Sequence, residues 1–291
     1  MANAATVDQV GPGDHGCLTF SDPDERLDLV AAFVRDGLRH RQRVLCWTDS
    51  LEPDRLATEL ARRSVRGGAA MRRGQLSIAS ATESLLGRPD GGGAPRMVQV
   101  LANELDRTSR EGFAGLRVTA DMCWATRPSS AAEQLVAFET QVAELFVDGR
   151  LCLICQYDRD RFDAVTLAFT ATAHTKTVAA QVYHESALLR ICRQYSPPGV
   201  RIAGELDYRQ QDVLEQSLAE SRRLDRHMHV NLAGLQYIDA ACAATIVGTA
   251  DRLPASRRMS LTCRSVVATV LDLVGARNAP RLRVLQANDQ P

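Results

Sequence analysis

The sequence predicts an α/β protein of two domains, the first with a mostly parallel sheet covered by helices on both faces and the second a smaller α/β domain. At roughly 150 residues per domain, a chain of 291 residues is long enough for two domains. Short apolar runs typical of buried strands alternate along the chain with segments of helical periodicity. The contents of 45% hydrophobic and 24% charged residues are those of folded globular chains, which excludes global disorder.

The first predicted elements are a strand, a helix and a second strand. The apolar run Cys17–Phe20 is typical of a buried strand. Asp22 is placed to cap a helix whose first residue is Pro23, a position where proline is favoured. Apolar residues recur at helical spacing as far as Leu38, and the buried strand Val44–Trp47 follows.

The same alternation continues to the end of the first domain. We predict helices at 55–64, 97–110 and 135–146, and strands at 75–79, 115–119 and 151–155. The segment 87–95 is predicted to be a plain loop, with a lid as the alternative. A Pro-Pro-Gly run after Tyr195 cannot continue a helix, which predicts domains at 1–195 and 199–291.

The second domain is predicted to alternate in the same way. Its strands are expected at 200–204, 227–232 and 259–262, and its helices at 208–222, 240–252 and 265–274. It is too short for a dinucleotide-binding fold and has no glycine fingerprint for one.

Charge and hydropathy exclude several classes of partner. The 35 basic and 35 acidic residues balance, so no net field favours nucleic acid or anionic lipid. The apolar runs are shorter than the ~20 residues of a membrane-spanning helix, and no signal peptide is evident, so we expect a cytoplasmic protein. The 8 cysteines lie mostly in apolar stretches, which predicts buried thiols.

No catalytic, cofactor or metal site is predicted. The loop Phe20–Glu25 lacks the Gly-Lys-Ser/Thr of a phosphate loop and carries three carboxylates, so we do not expect ATP hydrolysis or an enzyme. Cys152 and Cys155 lie three apart on a strand and therefore on opposite faces, which argues against a zinc or redox pair. His227 and His229 share a face, but two ligands are too few, and we expect both to face solvent.

Several polar side chains lie near predicted strand ends of the first domain. Ligands of parallel sheets bind where strand ends converge, which predicts a small-molecule pocket. The alternative is that the two histidines only satisfy nearby backbone groups. The residues concerned are His15, Asp121, Cys123, Trp124 and His174.

The first domain resembles the MEDS family of sensory domains, often seen as a degenerate RecA-like fold. The resemblance implies a small-molecule or conformational sensor without hydrolysis. It adds Cys17, Glu139 and Tyr157 to the candidate pocket. The segments that carry it are His15–Leu18, Gly37-Leu38 before Arg43–Leu45, Gly115–Trp124, Phe138-Glu139 and Leu153–Asp158.

The second domain resembles the STAS family of anti-sigma-factor antagonists. Gly204–Asp207 and Val230–Cys242 carry the resemblance, which implies partner binding through Asp239, Ala240, Ala241 and Cys242. Phosphorylated members have a serine where this chain has Ala241, and usually a glycine where it has Cys242. Because a methyl group cannot accept a phosphoryl group, we expect no serine phosphorylation at this site.

Together these observations predict a cytoplasmic signalling regulator. A sensory domain, with a small-molecule ligand left open, would control a STAS domain that binds a kinase-like anti-sigma factor or other STAS proteins. Homo-oligomerisation is left open, and neither nucleic acid nor membrane is an expected partner. The alternatives are a STAS scaffold, a nucleotide-binding protein, and a small-ligand or redox sensor in which the position of Cys242 at a helix start lowers its thiol pKa.

Overall fold

The computed structural model describes residues 3–81, 93–127 and 131–287. The chain divides into two units, Met1–Ala179 and Ala180–Pro291. The division therefore falls earlier than the predicted boundary after Tyr195. Most of the predicted loop 87–95 lies outside the described residues, and its end, Ala94-Pro95, belongs to a helix.

The first unit contains a parallel sheet, as predicted. Its strands lie in the order β1-β7-β2-β6-β5-β3-β4, and every strand pair among the described residues is parallel. The strands are β1 Asn3–Thr6, β2 His15–Phe20, β3 Arg43–Thr48, β4 Leu76–Ser80, β5 Leu116–Asp121, β6 Leu151–Asp158 and β7 Lys176–Ala179. The α-helices are α1 Pro23–Arg39, α2 Pro53–Arg62, α3 Gly67–Arg72, α4 Ala94–Arg110, α5 Ala131–Gln141 and α6 Ala164–Ala173.

Helices cover both faces of this sheet, which confirms the predicted architecture. Successive residues of a strand point to opposite faces. Leu45 and Trp47 of β3 pack in a core with residues of α4 and α5. Val44 and Cys46 pack in a different core with residues of α1 and α2.

Helix α1 begins as predicted. The carboxylate of Asp22 accepts hydrogen bonds from the backbone N–H groups of Asp24 and Glu25, at 2.8 and 3.3 Å, and Pro23 is the first helical residue. These N–H groups have no partner within the helix, so the cap stabilises its first turn by about 1 kcal/mol.

The second unit contains a mixed sheet. Its strands lie in the order β14-β13-β11-β10-β9-β8, and β12 also pairs with β10. The pairs β8/β9 and β9/β10 are antiparallel and the others are parallel. The strands are β8 Val182–Glu185, β9 Leu189–Tyr195, β10 Pro198–Leu206, β11 Met228–Leu232, β12 Leu235–Ile238, β13 Met259–Cys263 and β14 Leu282–Gln286. The α-helices are α7 Gln211–Leu224, α8 Ala240–Asp251 and α9 Ser265–Leu273.

Residues of α7, α8 and α9 share one core with one face of this sheet. The alternate residues of β10 and β11 include Arg201, His229 and Asn231, which are also buried. His229 is only 7% exposed, and its Nδ1 lies 2.8 Å from the hydroxyl of Ser260. The prediction that His229 faces solvent is therefore wrong, because both ring nitrogens contact hydroxyls of the neighbouring strand β13, those of Ser260 and Thr262, whereas His227 is exposed.

Candidate functional site

The structure separates the residues of the predicted pocket into two groups on opposite faces of the first sheet. Cys155 and Tyr157 point to the face covered by α5, whereas Gln156, between them, points to the face covered by α1. Asp121 shares a network with Gln156 on the α1 face. The structure therefore does not bring these residues together in one strand-end pocket, since the sheet itself lies between the groups.

The group on the α5 face is a cluster of His15, Glu139, Cys155 and His174, here called the His-Glu-Cys cluster. Glu139 Oε2 lies 3.3 Å from His15 Nε2 and 3.4 Å from His174 Nε2. Cys155 Sγ lies 3.5 Å from His15 Nε2. All four side chains are buried, and their potential metal-binding atoms lie within 4.8 Å of one another.

Neighbouring groups fix the orientation of this cluster. The hydroxyl of Tyr157 donates a hydrogen bond to Glu139 Oε1. His174 Nδ1 lies 2.6 Å from the backbone carbonyl oxygen of Thr170. The ring of His15 stacks on Phe146 with centroids 4.9 Å apart and lies 4.0 Å from the ring of His174.

Burial shifts the protonation equilibria of the cluster toward uncharged forms. Desolvation raises the pKa of Glu139, although His174 and Tyr157 counteract it. Desolvation and the neighbouring His174 hold the pKa of His15 well below its ordinary value. The pKa values of the Cys155 thiol and the Tyr157 phenol are raised by burial and by the carboxylate of Glu139.

The group on the α1 face is a buried ion pair. Arg26 Nη2 donates to Asp121 Oδ2 at 2.7 Å, and Arg26 Nε donates to Gln156 Oε1 at 2.6 Å. The backbone N–H and hydroxyl of Ser50 donate to the same carboxylate oxygen at 2.8 and 2.5 Å. Burial alone would raise the pKa of Asp121, but the charge of Arg26 and the bonds from Ser50 hold it well below its ordinary value.

The remaining predicted pocket residues are core side chains. Cys17, Cys123 and Trp124 are buried in the core beside α4 and α5. Cys17 Sγ lies 4.0 Å from the hydroxyl of Thr170. Burial raises the pKa of Cys17 to about 12, and burial with the charge of Asp121 raises that of Cys123 to about 12.

The start of α1 is not a phosphate site. The N–H groups that would bind a phosphate at this helix start donate to the carboxylate of Asp22. Asp24 and Glu25 add two more carboxylates in the first turn, and Arg63 pairs with Asp24. The local charge therefore disfavours a further anion at this position.

The predicted partner-binding residues lie at the start of α8. Asp239 caps the helix, with Oδ1 accepting from the N–H of Cys242 at 2.8 Å, and its Oδ2 accepts from the N–H of Tyr208 at 2.7 Å. Ala240 and Ala241 are exposed, whereas Cys242 is buried. Burial and the carboxylate of Asp239 raise the pKa of Cys242 to about 12, so the prediction of a lowered pKa is wrong.

Two aromatic side chains are exposed near this helix start. Tyr208 is 64% exposed and Tyr237 is 53% exposed. Tyr208 is joined to the cap through its N–H bond to Asp239. Tyr237 belongs to β12, the strand that leads to Asp239.

A cleft of about 390 Å³ lies elsewhere in the first unit. Val10, Asp36, His40 and Arg117 are among its lining residues. Arg117 donates to Asp36 Oδ2 and to the carbonyl oxygen of Val10, at 3.0 and 2.9 Å. None of the eight predicted pocket residues lines this cleft.

Within the described ranges, no helix has both the length and the apolar character needed to cross a membrane.

Comparisons with known proteins identify a family for the first unit. The profile described as "MEDS: MEthanogen/methylotroph, DcmR Sensory domain" matches residues 14–175, which is more than half of the chain. Among solved structures, the KaiC-like protein of Pyrococcus horikoshii OT3 is similar, with 14% identity over 66% of this chain and 80% of that chain and a TM-score of 0.46. The flagellar accessory protein FlaH of Methanocaldococcus jannaschii has 9% identity over 65% of this chain and 83% of that chain, with a TM-score of 0.46. No curated protein matches the chain significantly.

Proposed function

The chain belongs to the MEDS family, and from this premise we propose that it is a cytoplasmic signalling regulator with a sensory input unit and a STAS-type output unit. The input is the first unit, Met1–Ala179. The output is the second unit, which binds an anti-sigma factor and thereby affects sigma-factor-dependent transcription. The protein acts by binding and is not an enzyme.

The observation that carries the output role is the surface around the start of α8. Asp239 accepts hydrogen bonds from both Cys242 and Tyr208, so the start of α8 and the segment that follows β10 are held together. Tyr208, bonded to the cap residue Asp239, Tyr237, two residues before that cap, and Ala241, in the first turn of α8, are all exposed. Aromatic residues are enriched at protein interfaces, and small residues permit close approach of a partner.

The chemistry of this surface argues against control of the output by phosphorylation or by oxidation. Ala241 lies where phosphorylated STAS proteins carry a serine, and its methyl group cannot accept a phosphoryl group. Cys242 is buried with a raised pKa, so it is a poor target for oxidants. Control therefore comes from the sensory unit, and a coupling free energy of ~1–3 kcal/mol is sufficient for such control.

The input role without hydrolysis is supported by two arrangements of the first unit, the cap of α1 and the buried ion pair. At the start of α1 the carboxylate of Asp22 accepts from the N–H groups of Asp24 and Glu25. On the α1 face, Arg26 and Asp121 pair with each other in the interior. Both arrangements favour a binding and conformational role for this unit over nucleotide hydrolysis.

The test is capture of partners from the native host with the full chain and with Ala241→Asp. An aspartate in the first turn of α8 suits the helix dipole, so this variant should fold while placing a charge on the proposed surface. Ala219→Asp is the matched control, since Ala219 is exposed on the neighbouring helix α7. We expect a kinase-like anti-sigma factor to bind the wild type and Ala219→Asp, and not Ala241→Asp.

Two outcomes would contradict this proposal. One is that the captured anti-sigma factor binds both variants equally, which would place the contact elsewhere. The other is that the full chain captures no anti-sigma factor, which would remove the output role.

A further inference from the structure

We propose that the His-Glu-Cys cluster is a binding site for a divalent transition-metal ion, with Zn²⁺ the best match. The ligands are His15 Nε2, Glu139 Oε2, Cys155 Sγ and His174 Nε2. This site is independent of the output surface and goes beyond the sensory role proposed above.

Three of the six distances between these atoms fit tetrahedral zinc, and all six are within 4.8 Å. Zn–N and Zn–O bonds of about 2.0–2.1 Å, with Zn–S bonds of about 2.3 Å, require ligand separations of about 3.3–3.6 Å. The separations from Glu139 Oε2 to the two histidine nitrogens are 3.3 and 3.4 Å. The separation between Cys155 Sγ and His15 Nε2 is 3.5 Å. All three contacts therefore have the lengths of tetrahedron edges.

The proton arrangement around His174 points to a cation between the ligands. A carbonyl oxygen only accepts, so His174 Nδ1 must donate to Thr170 and, in the neutral ring, Nε2 carries a lone pair. That lone pair faces Glu139 Oε2, and neither atom has a hydrogen-bond partner among the described residues. Two buried acceptors 3.4 Å apart repel each other unless a proton or a metal ion lies between them.

The charges of the ligand set also match a dication. One thiolate and one carboxylate supply two negative charges, and two neutral imidazoles supply none. A bound divalent ion would therefore make the cluster electrically neutral. Neutrality matters here because the cluster lies in an apolar core, where an uncompensated charge is costly.

The surroundings have the second layer of contacts found around protein metal sites. Ligating histidines usually donate their other N–H to a carbonyl or carboxylate, as His174 does to Thr170. The carboxylate ligand is oriented by the hydroxyl of Tyr157. Because four protein ligands would complete the coordination, this is the closed type of site that stabilises a fold and leaves no position for substrate.

The site would join four parts of the first unit. His15 begins β2, Cys155 lies on β6, Glu139 lies on α5, and His174 follows α6. Metal binding would therefore stabilise the packing of α5 and of the end of α6 against the sheet. Cys17, on the same face, is engaged with Thr170 and is not a ligand.

The first experiment is metal analysis of the purified full chain, together with refolding from denaturant in Co²⁺. Because the ligands are buried, refolding gives the ion access to them. We expect about one equivalent of metal per chain, with the visible d–d bands of tetrahedral Co²⁺ and a thiolate-to-cobalt charge-transfer band in the near ultraviolet. A refolded wild-type chain that binds neither Zn²⁺ nor Co²⁺ stoichiometrically would overturn the proposal.

Cysteine variants locate the ion. Cys155→Ser should lose the charge-transfer band, whereas Cys152→Ser should keep it, because Cys152 is also a buried thiol of β6 but points to the opposite face. Retention of the band in Cys155→Ser would overturn the assignment of the site.

A less disruptive variant tests the metal site if Cys155→Ser does not fold. Tyr157→Phe keeps all four ligands and removes only the hydroxyl that orients Glu139. We expect the tetrahedral spectrum to remain while the affinity for Co²⁺ falls roughly 10- to 100-fold. An unchanged affinity would contradict the role of Glu139 as a ligand.

Discussion

At the scale of single residues, Asp121 is fully buried and accepts hydrogen bonds from Arg26, Ser50 and Cys123. Asp121→Asn keeps the shape of the side chain but leaves the guanidinium of Arg26 in the interior without its counter-charge. Such a loss costs about 3–5 kcal/mol. We expect the free energy of unfolding to fall by this amount in urea titrations followed by tryptophan fluorescence, since both tryptophans, Trp47 and Trp124, lie in the first unit.

The control for that variant is Asp148→Asn. Asp148 pairs with Arg150 at 3.2 Å, but both side chains are largely exposed, and such pairs contribute little. We expect almost no change in stability for this variant. Equal effects of the two substitutions would contradict a stabilising role for the buried pair.

The lowered pKa of the Asp121 carboxylate predicts that the stability of the fold depends on pH. Its pKa is lowered in the folded state, so its contribution is present above the unfolded pKa of about 3.9 and is lost as pH falls toward the folded value. We therefore expect acidification below about pH 4 to destabilise the wild type more steeply than Asp121→Asn. The measurement is the urea midpoint of both proteins at a series of pH values. Parallel curves would mean that Asp121 has no lowered pKa.

Sequence reasoning found some residues of the His-Glu-Cys cluster and missed how they combine. His15, Glu139 and His174 were among the predicted pocket residues, whereas Cys155 was set aside because a C-x-x-C on a strand cannot place both thiols on one face. That argument about Cys152 and Cys155 stands, but Cys155 meets residues distant in sequence. Arg26 gave no signal, because a charged residue in an amphipathic helix is ordinarily solvated.

At the scale of secondary structure elements, Gly199 sets how closely β10 and β11 approach. Gly199 and His229 are paired in register, and a Cβ on Gly199 would lie 1.7 Å from the backbone oxygen of His229. We expect Gly199→Ala to destabilise the second unit by about 1–3 kcal/mol or more. The transition seen by far-UV circular dichroism should shift to lower temperature.

Gly248→Ala is the matched control in the same unit. Gly248 lies within α8, and a Cβ there would meet nothing within 4 Å. Because alanine restricts the unfolded chain and favours helix, we expect a gain of about 0.4–1 kcal/mol. Destabilisation by both substitutions would show that close strand approach is not the cause at Gly199.

The elements that could be predicted are those whose sequences carry a strong local pattern. The buried strands β3 and β6 and the capped helix α1 were predicted because uninterrupted apolar runs and capping residues specify them locally. The strands β8 and β9 were missed. The charged and polar residues of β9, such as Arg190 and Arg193, give no clear alternation. β9 is held by pairing with β10 on one side and with β8 on the other.

At the scale of the whole molecule, the two units have separate cores. The core of the second unit includes Leu189 and Ile191 of β9 together with residues of β10 and the three helices. β9 pairs with β10 from Tyr195 and Pro198 at the turn to Leu189 and Gly204 at the far end. The Pro-Pro-Gly run that predicted a domain boundary therefore lies at the turn of a hairpin, with Pro198 and Gly199 already in β10, since turns and linkers share the same residue types.

This difference between the predicted and observed boundaries can be tested with two fragments of the second unit. Residues 180–291 retain β8 and β9, whereas residues 199–291 lose both strands and expose the edge of β10, with its unpaired backbone groups and the apolar side chains that packed against β9. We expect the longer fragment to unfold cooperatively with heat, as followed by circular dichroism, and the shorter one to aggregate or to lack a cooperative transition. A shorter fragment as stable as the longer one would show that the β8–β9 hairpin is dispensable for the core of the second unit, and would restore the boundary expected after Tyr195.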